Sequence, residues 1–356
     1  MSLFKDILGS NESLFKNPVA LDFDYQPKLI LYREPQQRHI ATCIKPLFNN
    51  MNGRNLFIYG PPGIGKTVAC RHVVNELEET TDDIIPIYIN CWQKNTSFKI
   101  ILELCEVIGY KFTHNKKTEE LFKIVKQYLN KKSVVFVFDE IDKVEDLDFI
   151  YSLLEEIYRK SVILITNYKS WLLNLDERVK SRLLAEMLEF KPYNQQETKG
   201  ILKERMKYAF TPGVWEDDAF EVIANKTFEM SDIRSGLYLM KEAATVAEED
   251  SSRKITMPHV NKAITKLDEF NIKDPEELED YNKFVLDIIK ENSDKKIGDL
   301  HKIYLEKGGK RAYKSFQRKI KALEDAKFIT TEKVTGVGGN TTIVKYKEQE
   351  KKLSEF

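Results

Sequence analysis

The stretch "NLFIYGPPGIGKTVAC", residues 55–70, decides how this chain is read. Its first part, "NLFIYG" (55–60), is a short apolar run ending in glycine. The second part contains "GPPGIGKT" (60–67), which fits the pattern G-x-x-x-x-G-K-[S/T]. Gly60, Gly63 and Gly65 allow the backbone to turn tightly and aim its amides inward, and the helix that follows adds its own free N-terminal amides, so the loop forms a concave anion site. Lys66 brings a charge to the outer phosphates, and Thr67 offers a hydroxyl to a magnesium ion. A strand before the loop and a helix after it ("TVACRHVVNELEE") supply the context that separates a phosphate loop from a chance match. The implied ligand is ATP or ADP with Mg2+.

Three further runs resemble the first: "IIPIYIN" (84–90), "SVVFVFD" (133–139) and "SVILITN" (161–167). Near-continuous apolar runs of this length suit strands buried on both faces of a parallel sheet. Helical patterns at 118–130 and 149–160 lie between them, giving an α/β sandwich. Asp139 ends the third run, where it can hold the magnesium shell beside Thr67. Glu140 follows as a candidate general base; a carboxylate at a strand tip can equally cap the next helix. Asn167 ends the fourth run, near the ligand crevice of an open α/β sheet, and can orient the lytic water.

From Pro192 to about Leu267 the patterns are helical only, and 268–280 is a charged linker. The expected domains are therefore 1–190 (with 1–27 as an N-terminal arm), an all-α domain at 191–270, and a third domain at 276–350. In "SDIRSGLYLMKEA" (231–243), Ser231 and Asp232 are capping candidates, and Arg234 stands in the first helical turn. A cation there opposes the helix dipole, which suggests an anionic partner. In "LDERVKSRLL" (175–184), Arg178 and Arg182 share a helix face. They are either surface charges paired with Asp176, Glu177 or Glu186, or a finger offered to a neighbouring subunit's nucleotide.

The 356 residues carry 56 basic and 56 acidic side chains, a formal net charge of +0 that argues against a uniformly basic protein. The balance is local, however. Residues 295–347 hold fourteen Lys/Arg against five Asp/Glu, a surplus of nine positive charges that the rest of the chain offsets. Within them, Phe316, Ile320 and Leu323 form an apolar stripe, and Arg311, Lys314, Arg318 and Lys321 fall on the other side. A preceding helix (297–308), a glycine turn, this basic helix and the hairpin "KVTGVGGNTTIVKY" (333–346) make a winged helix-turn-helix pattern. Lys310, Arg311, Lys314, Ser315, Arg318 and Lys321 are its expected DNA contacts, and Gly338, Gly339, Asn340 and Thr341 form the wing tip.

Cys43, Cys70, Cys91 and Cys105 show no C-x-x-C spacing, and the five histidines are dispersed. Neither a zinc framework nor disulfides are expected, only small buried thiols in a reducing compartment. With no apolar run of about 18 residues and no signal segment, the expectation is a soluble intracellular protein without a membrane partner.

Taken in order, GPPGIGKT, VVFVFDEID, ITN, "LDERVKSRLLAEMLEFKPYN", SDIR and the C-terminal wing resemble the AAA+ ATPases, specifically the archaeal replication initiators related to the eukaryotic origin-recognition and cell-division-cycle proteins. The likeness spans about 18–346. It implies an AAA+ P-loop domain, a helical lid and a winged-helix domain. It also implies an ATP-dependent assembly switch with slow hydrolysis, binding to double-stranded origin DNA, contact with other initiator subunits across a shared ATP site, and help in loading the replicative helicase. By resemblance, Gly60, Pro61, Pro62, Gly63, Ile64, Gly65, Lys66, Thr67 and Val68 hold the phosphates. Tyr32, Arg33 and Glu34 lie beside the base, and Tyr193 completes the nucleotide-binding set. Asn167 and Arg234 become the first and second sensors, and Arg178 or Arg182 the finger. Lys94, Asn95, Thr96 and Lys99, in "CWQKNTSFKIILELCEVIG" (91–109), match the helical insertion that touches DNA. The implied location is the cytoplasm, at the nucleoid. The competing readings are a winged-helix transcriptional or signalling ATPase and a clamp-loader-like ATPase.

Overall fold

The computed structural model describes residues 13–270, 280–309, 313–325, 328–336 and 339–346; at 269–270, 280–283, 322, 325, 333–336 and 339–341 it describes the backbone alone. Lys310, Arg311 and Gly338 lie outside the described residues. The chain divides into two compact units, 1–261 and 262–356. Among the described residues no helix is long and apolar enough to cross a membrane.

The first unit is built on five parallel strands: β1 (Leu56–Tyr59), β2 (Ile84–Asn90), β3 (Ser133–Asp139), β4 (Lys160–Thr166) and β5 (Glu186–Glu189), in the order β2-β3-β4-β1-β5. β3 is buried along its whole length. Its side chains alternate between two cores because successive residues point to opposite faces. Phe136 and Phe138 join one core with α3 (Ser97–Val107), α4 (Thr118–Leu129), α5 (Asp148–Glu156) and α6 (Glu177–Leu183). Val135 and Val137 join the other with α1 (Glu34–Ile44) and α2 (Lys66–Thr80).

β5 is the strand that hydrophobic runs do not announce. It pairs only with β1, at the sheet edge, and its residues alternate between half-buried and exposed. An edge strand needs less apolar surface, so Glu186 and Glu189 are tolerated there.

Four helices follow: α7 (Gln195–Ala209), α8 (Asp217–Met230), α9 (Ile233–Glu249) and α10 (Met257–Phe270). The described part of the segment expected as an arm, 13–27, is tied to them. Arg205 of α7 donates to the carbonyls of Ala20 and Tyr25, and Phe15 stacks on Phe210.

In the second unit, α11 (Asp280–Glu291), α12 (Ile297–Glu306) and α13 (Tyr313–Asp325) pack with a three-stranded antiparallel sheet. Its strands are β6 (Lys295–Lys296), β7 (Ile329–Gly336) and β8 (Gly339–Tyr346), ordered β6-β8-β7. Phe316, Ile320 and Leu323 of α13 are buried against Leu300, Tyr304 and Val344. The helix periodicity forces Lys314, Arg318 and Lys321 outward, and all three are exposed. Gly336 pairs with Gly339 across the hairpin, which leaves a two-residue connection.

Candidate functional site: a nucleotide cleft closed by the helical domain

The phosphate loop leaves β1 at Gly60 and enters α2 at Lys66. Gly65 is left-handed (φ 86°), and a Cβ on Gly63 would stand 2.0 Å from Asp232 Oδ1. The loop is therefore pinched against the start of α9, whose Ile233 amide donates to the Gly63 carbonyl at 3.2 Å. Gly63 thus serves the packing of loop against lid as well as the phosphate turn, while Gly65 leaves room for the Tyr193 hydroxyl.

Lys66 is buried and donates to the Gly60 and Pro61 carbonyls, both at 2.7 Å, and to Asn167 Oδ1 at 2.8 Å. The two residues read separately from the sequence thus meet at one point. Burial lowers the Lys66 pKa to about 8, against the opposing pull of Asp139. Asp139, also buried, accepts from Thr67 Oγ1 at 2.6 Å, from the Tyr88 hydroxyl at 2.5 Å and from the Glu140 amide at 2.9 Å. Thr67 and Asp139 form an all-oxygen pair, the donor chemistry that Mg2+ takes. Glu140 itself holds a left-handed backbone (φ 55°), and its pKa is raised by burial and by the neighbouring Asp139 and Asp142. A non-glycine residue in that region costs about 1–3 kcal/mol and persists only where its surroundings demand it.

Arg234 sits opposite, at the second residue of α9. Its guanidinium grips Asp232 through Nε (3.2 Å) and Nη2 (2.9 Å), and Asp232 also caps the helix by accepting from the Arg234 amide. The cation that looked electrostatically misplaced therefore has a partner within its own cap. Ser231, the other capping candidate, instead ends α8 with a left-handed backbone.

Together these residues line a cleft of about 320 Å3. Pro62, Gly63, Gly65, Lys66, Thr67 and Val68 form its floor, and Asp139, Glu140, Asn167, Tyr193 and Arg234 its walls. Tyr32 and Arg33, expected beside the base, are not on its wall. Arg33 is buried beneath the loop. It donates to the Ile64 carbonyl (3.2 and 3.0 Å) and the Lys191 carbonyl (2.7 Å) and lies 3.8 Å over the Tyr193 ring. Tyr32 turns its hydroxyl toward Gly200. The apolar wall comes instead from Phe23, Leu29, Ile30 and Ile201. Sequence reading also missed Tyr88 and Arg71, which stack at 4.3 Å beside Asp139. Their one signal is position: Arg71 is on the helix that leaves the phosphate loop, and Tyr88 is on β2, the strand that follows that helix.

Arg33→Ala is expected to lower stability by about 2–3 kcal/mol, because it strands the buried Ile64 carbonyl and removes the bond to the part-buried Lys191 carbonyl. Arg33→Lys should restore little, since an ammonium lacks the planar fork that spans both. Thermal unfolding of the two variants checks this.

The remaining predicted residues stand elsewhere. Arg178 is exposed on α6 and pairs with Asp176 at 3.1 Å, and Arg182 pairs with Glu155; both lie near the Tyr151 ring. Thr96 caps α3 by accepting from the Lys99 amide, Lys99 Nζ donates to Asn95 at 2.8 Å, and Lys94 pairs with Glu103 at 2.6 Å.

Two family models match, an AAA domain over residues 49–170 and a Cdc6 AAA+ ATPase-type lid domain over 199–265. An ORC1-type DNA replication protein 1 from Sulfurisphaera tokodaii is 36% identical over 272 residues, 73% of this chain and 68% of that protein. The chain belongs to the ORC1-type DNA replication protein family. Another member, ORC1-type DNA replication protein 2 from Methanosarcina acetivorans, is 30% identical across 96% of this chain and 95% of its own length. The fold is that of the Aeropyrum pernix ORC1 protein solved in complex with DNA (TM-score 0.68, 24% identity, 96% and 95% of the two chains covered). It is equally that of the Aeropyrum pernix ORC2 protein solved in ADPNP–ADP complexes (TM-score 0.70, 17% identity, 94% of each chain). Membership in this AAA+ family makes the cleft a nucleotide site.

Proposed function

We propose that this ORC1-type protein is a DNA replication initiator, switched by ATP, that binds origin duplex and helps load the replicative helicase. The observation that carries the proposal is the meeting of Lys66, Asn167, Thr67, Asp139 and Glu140 under an arginine-bearing lid, in a chain that also has a winged-helix unit with an exposed basic helix face.

Lys66 and the loop amides bind the polyphosphate. Thr67 Oγ1 and Asp139 would hold a Mg2+ ion, which when bound neutralises charge on the phosphates. Glu140 accepts the proton of the attacking water, and Asn167, released from Lys66, orients that water. Arg234 exchanges Asp232 for the γ-phosphate, so α9 closes on the triphosphate form and relaxes on the diphosphate form. Arg178 and Arg182 face the site of an adjoining initiator subunit. The basic face of α13 enters the major groove with the hairpin beside it, and Lys94, Asn95, Thr96 and Lys99 add a second contact.

Genome-wide footprinting with and without ATP tests the whole reading. Footprints at replication start sites that sharpen with ATP are expected; footprints scattered over promoters would overturn it.

One consequence concerns pH. Polyphosphate binds the charged form of Lys66. In the free protein that charge is lost as pH rises through about 8. Affinity is therefore expected to be nearly flat just below pH 8 and to weaken above it, by up to about tenfold per pH unit, with proton uptake on binding rising toward one as pH passes above 8. Calorimetry in buffers of different ionisation enthalpy measures the uptake. Lys66→Arg, charged throughout, should flatten the profile.

A further inference from the structure

Cysteine and histidine spacing showed no zinc framework along the sequence, but the fold assembles one group that spacing could not show. His39 and Cys43 lie four residues apart on α1 and so share a helix face. Glu186, far away in sequence, begins the edge strand β5 beside them. Among the described residues, these three form the group of histidine, cysteine and carboxylate ligand atoms that converge, all within 4.8 Å of one another. We propose that His39, Cys43 and Glu186 form a binding site for a zinc-class transition-metal ion.

The donor set is nitrogen, sulfur and one carboxylate oxygen. Borderline-soft cations such as Zn2+ take this set, and Mg2+ does not. Tetrahedral Zn2+ with bonds of about 2.0–2.3 Å needs its ligand atoms roughly 3.3–3.8 Å apart. Glu186 Oε2 lies 3.0 Å from His39 Nε2 and accepts from Cys43 Sγ at 3.8 Å, and all three atoms lie within 4.8 Å of one another, so small side-chain rotations must adjust the spacing around a bound ion.

Three observations separate this group from a chance contact. First, His39 Nε2 is buried yet makes no hydrogen bond: it is close to Glu186 Oε2, but not in line for an N–H to point at it. A buried ring nitrogen without a partner costs free energy unless something accepts its lone pair. Second, the two oxygens of Glu186 are divided in task. Oε1 takes Arg54 Nη1 at 2.7 Å, while Oε2 faces the ring and the thiol. An outer partner that orients a ligating carboxylate is the usual companion of a metal centre. Third, a shallow groove lined by Glu34, Pro35, Arg38, His39, Thr42 and Arg54 gives solvent and ions a path to the His39 ring.

On binding, the Cys43 S–H bond breaks, its proton passes to solvent, and the sulfur lone pair forms the metal bond. The filled site would tie α1 to β5. The same two segments are joined by Arg33, which begins α1 and holds the Lys191 carbonyl just beyond β5.

Titration of the metal-free full chain with CoCl2, followed by ZnCl2, tests the assignment. One equivalent of Co2+ is expected to give a near-ultraviolet thiolate-to-cobalt charge-transfer band, which Zn2+ then abolishes. Cys43→Ser should lose the band; His39→Gln and Glu186→Gln should weaken Co2+ binding at least tenfold and change its visible spectrum. Zn2+ should raise the melting temperature of the wild type and not that of Glu186→Gln. Should Cys43→Ser fail to fold, the other two variants, which keep the thiol, carry the test. The proposal is overturned if no thiolate band forms, or if the band is unchanged in His39→Gln and Glu186→Gln, or if it disappears instead with Cys105→Ser.

Discussion

Glu140→Gln is expected to reduce ATP turnover by about a hundredfold or more while ATP affinity stays nearly unchanged, since a positioned general base contributes about 10²–10⁴-fold. The residue is held in a left-handed conformation at the tip of β3 (φ 55°), which places its side chain on the cleft wall. Burial and the charges of Asp139 and Asp142 raise its pKa, making it a better proton acceptor than a solvated glutamate. The sign follows: the carboxylate is lost as pH falls through that raised value, so turnover should fall on the acid side. Glutamine keeps the shape and removes the base. Single-turnover hydrolysis alongside equilibrium nucleotide binding separates the two effects. A variant that still hydrolyses ATP at the wild-type rate would remove Glu140 from the chemistry.

Lys314→Ala/Arg318→Ala/Lys321→Ala is expected to weaken duplex binding roughly a hundredfold at physiological salt, with little effect on ATP binding. All three side chains are exposed, while their helix is anchored by buried Phe316, Ile320 and Leu323. The loss should therefore be one of charge and not of fold. Each phosphate contact contributes about 0.9 to the slope of log affinity against log salt, so that slope should become shallower by about 2.7. Fluorescence anisotropy across a salt series reads both numbers. An unchanged slope would mean that this face does not meet DNA.

Much of the nucleotide site was legible in the sequence because its ligands are local. Phosphate loops are built from consecutive amides, and Asp139 and Asn167 stand at strand ends that apolar runs reveal. Three features were not legible, each for a physical reason. β5 carries glutamates at an edge that needs no continuous apolar surface. Arg33 was expected beside the base by resemblance alone, yet its guanidinium supports the loop from beneath through carbonyls 31 and 158 residues away. Arg234 looked like a cation lacking a partner because the dipole argument cannot foresee that Asp232, two residues earlier, both caps the helix and binds the guanidinium.

By itself the amino-acid order determined the phosphate loop, four of the five parallel strands, the helical lid and the amphipathic basic helix, since each depends on periodicity or on residues within one turn or strand. Only the tertiary structure decided what lies across a gap in sequence: Lys66 bonded to Asn167, the lid pressed on Gly63, the N-terminal segment forming the cleft's apolar wall, and His39, Cys43 and Glu186 brought to one point. The parallel sheet is the reason. It sets strands distant in sequence side by side, so residues at the strand ends and on the covering helices meet with no local trace of the encounter.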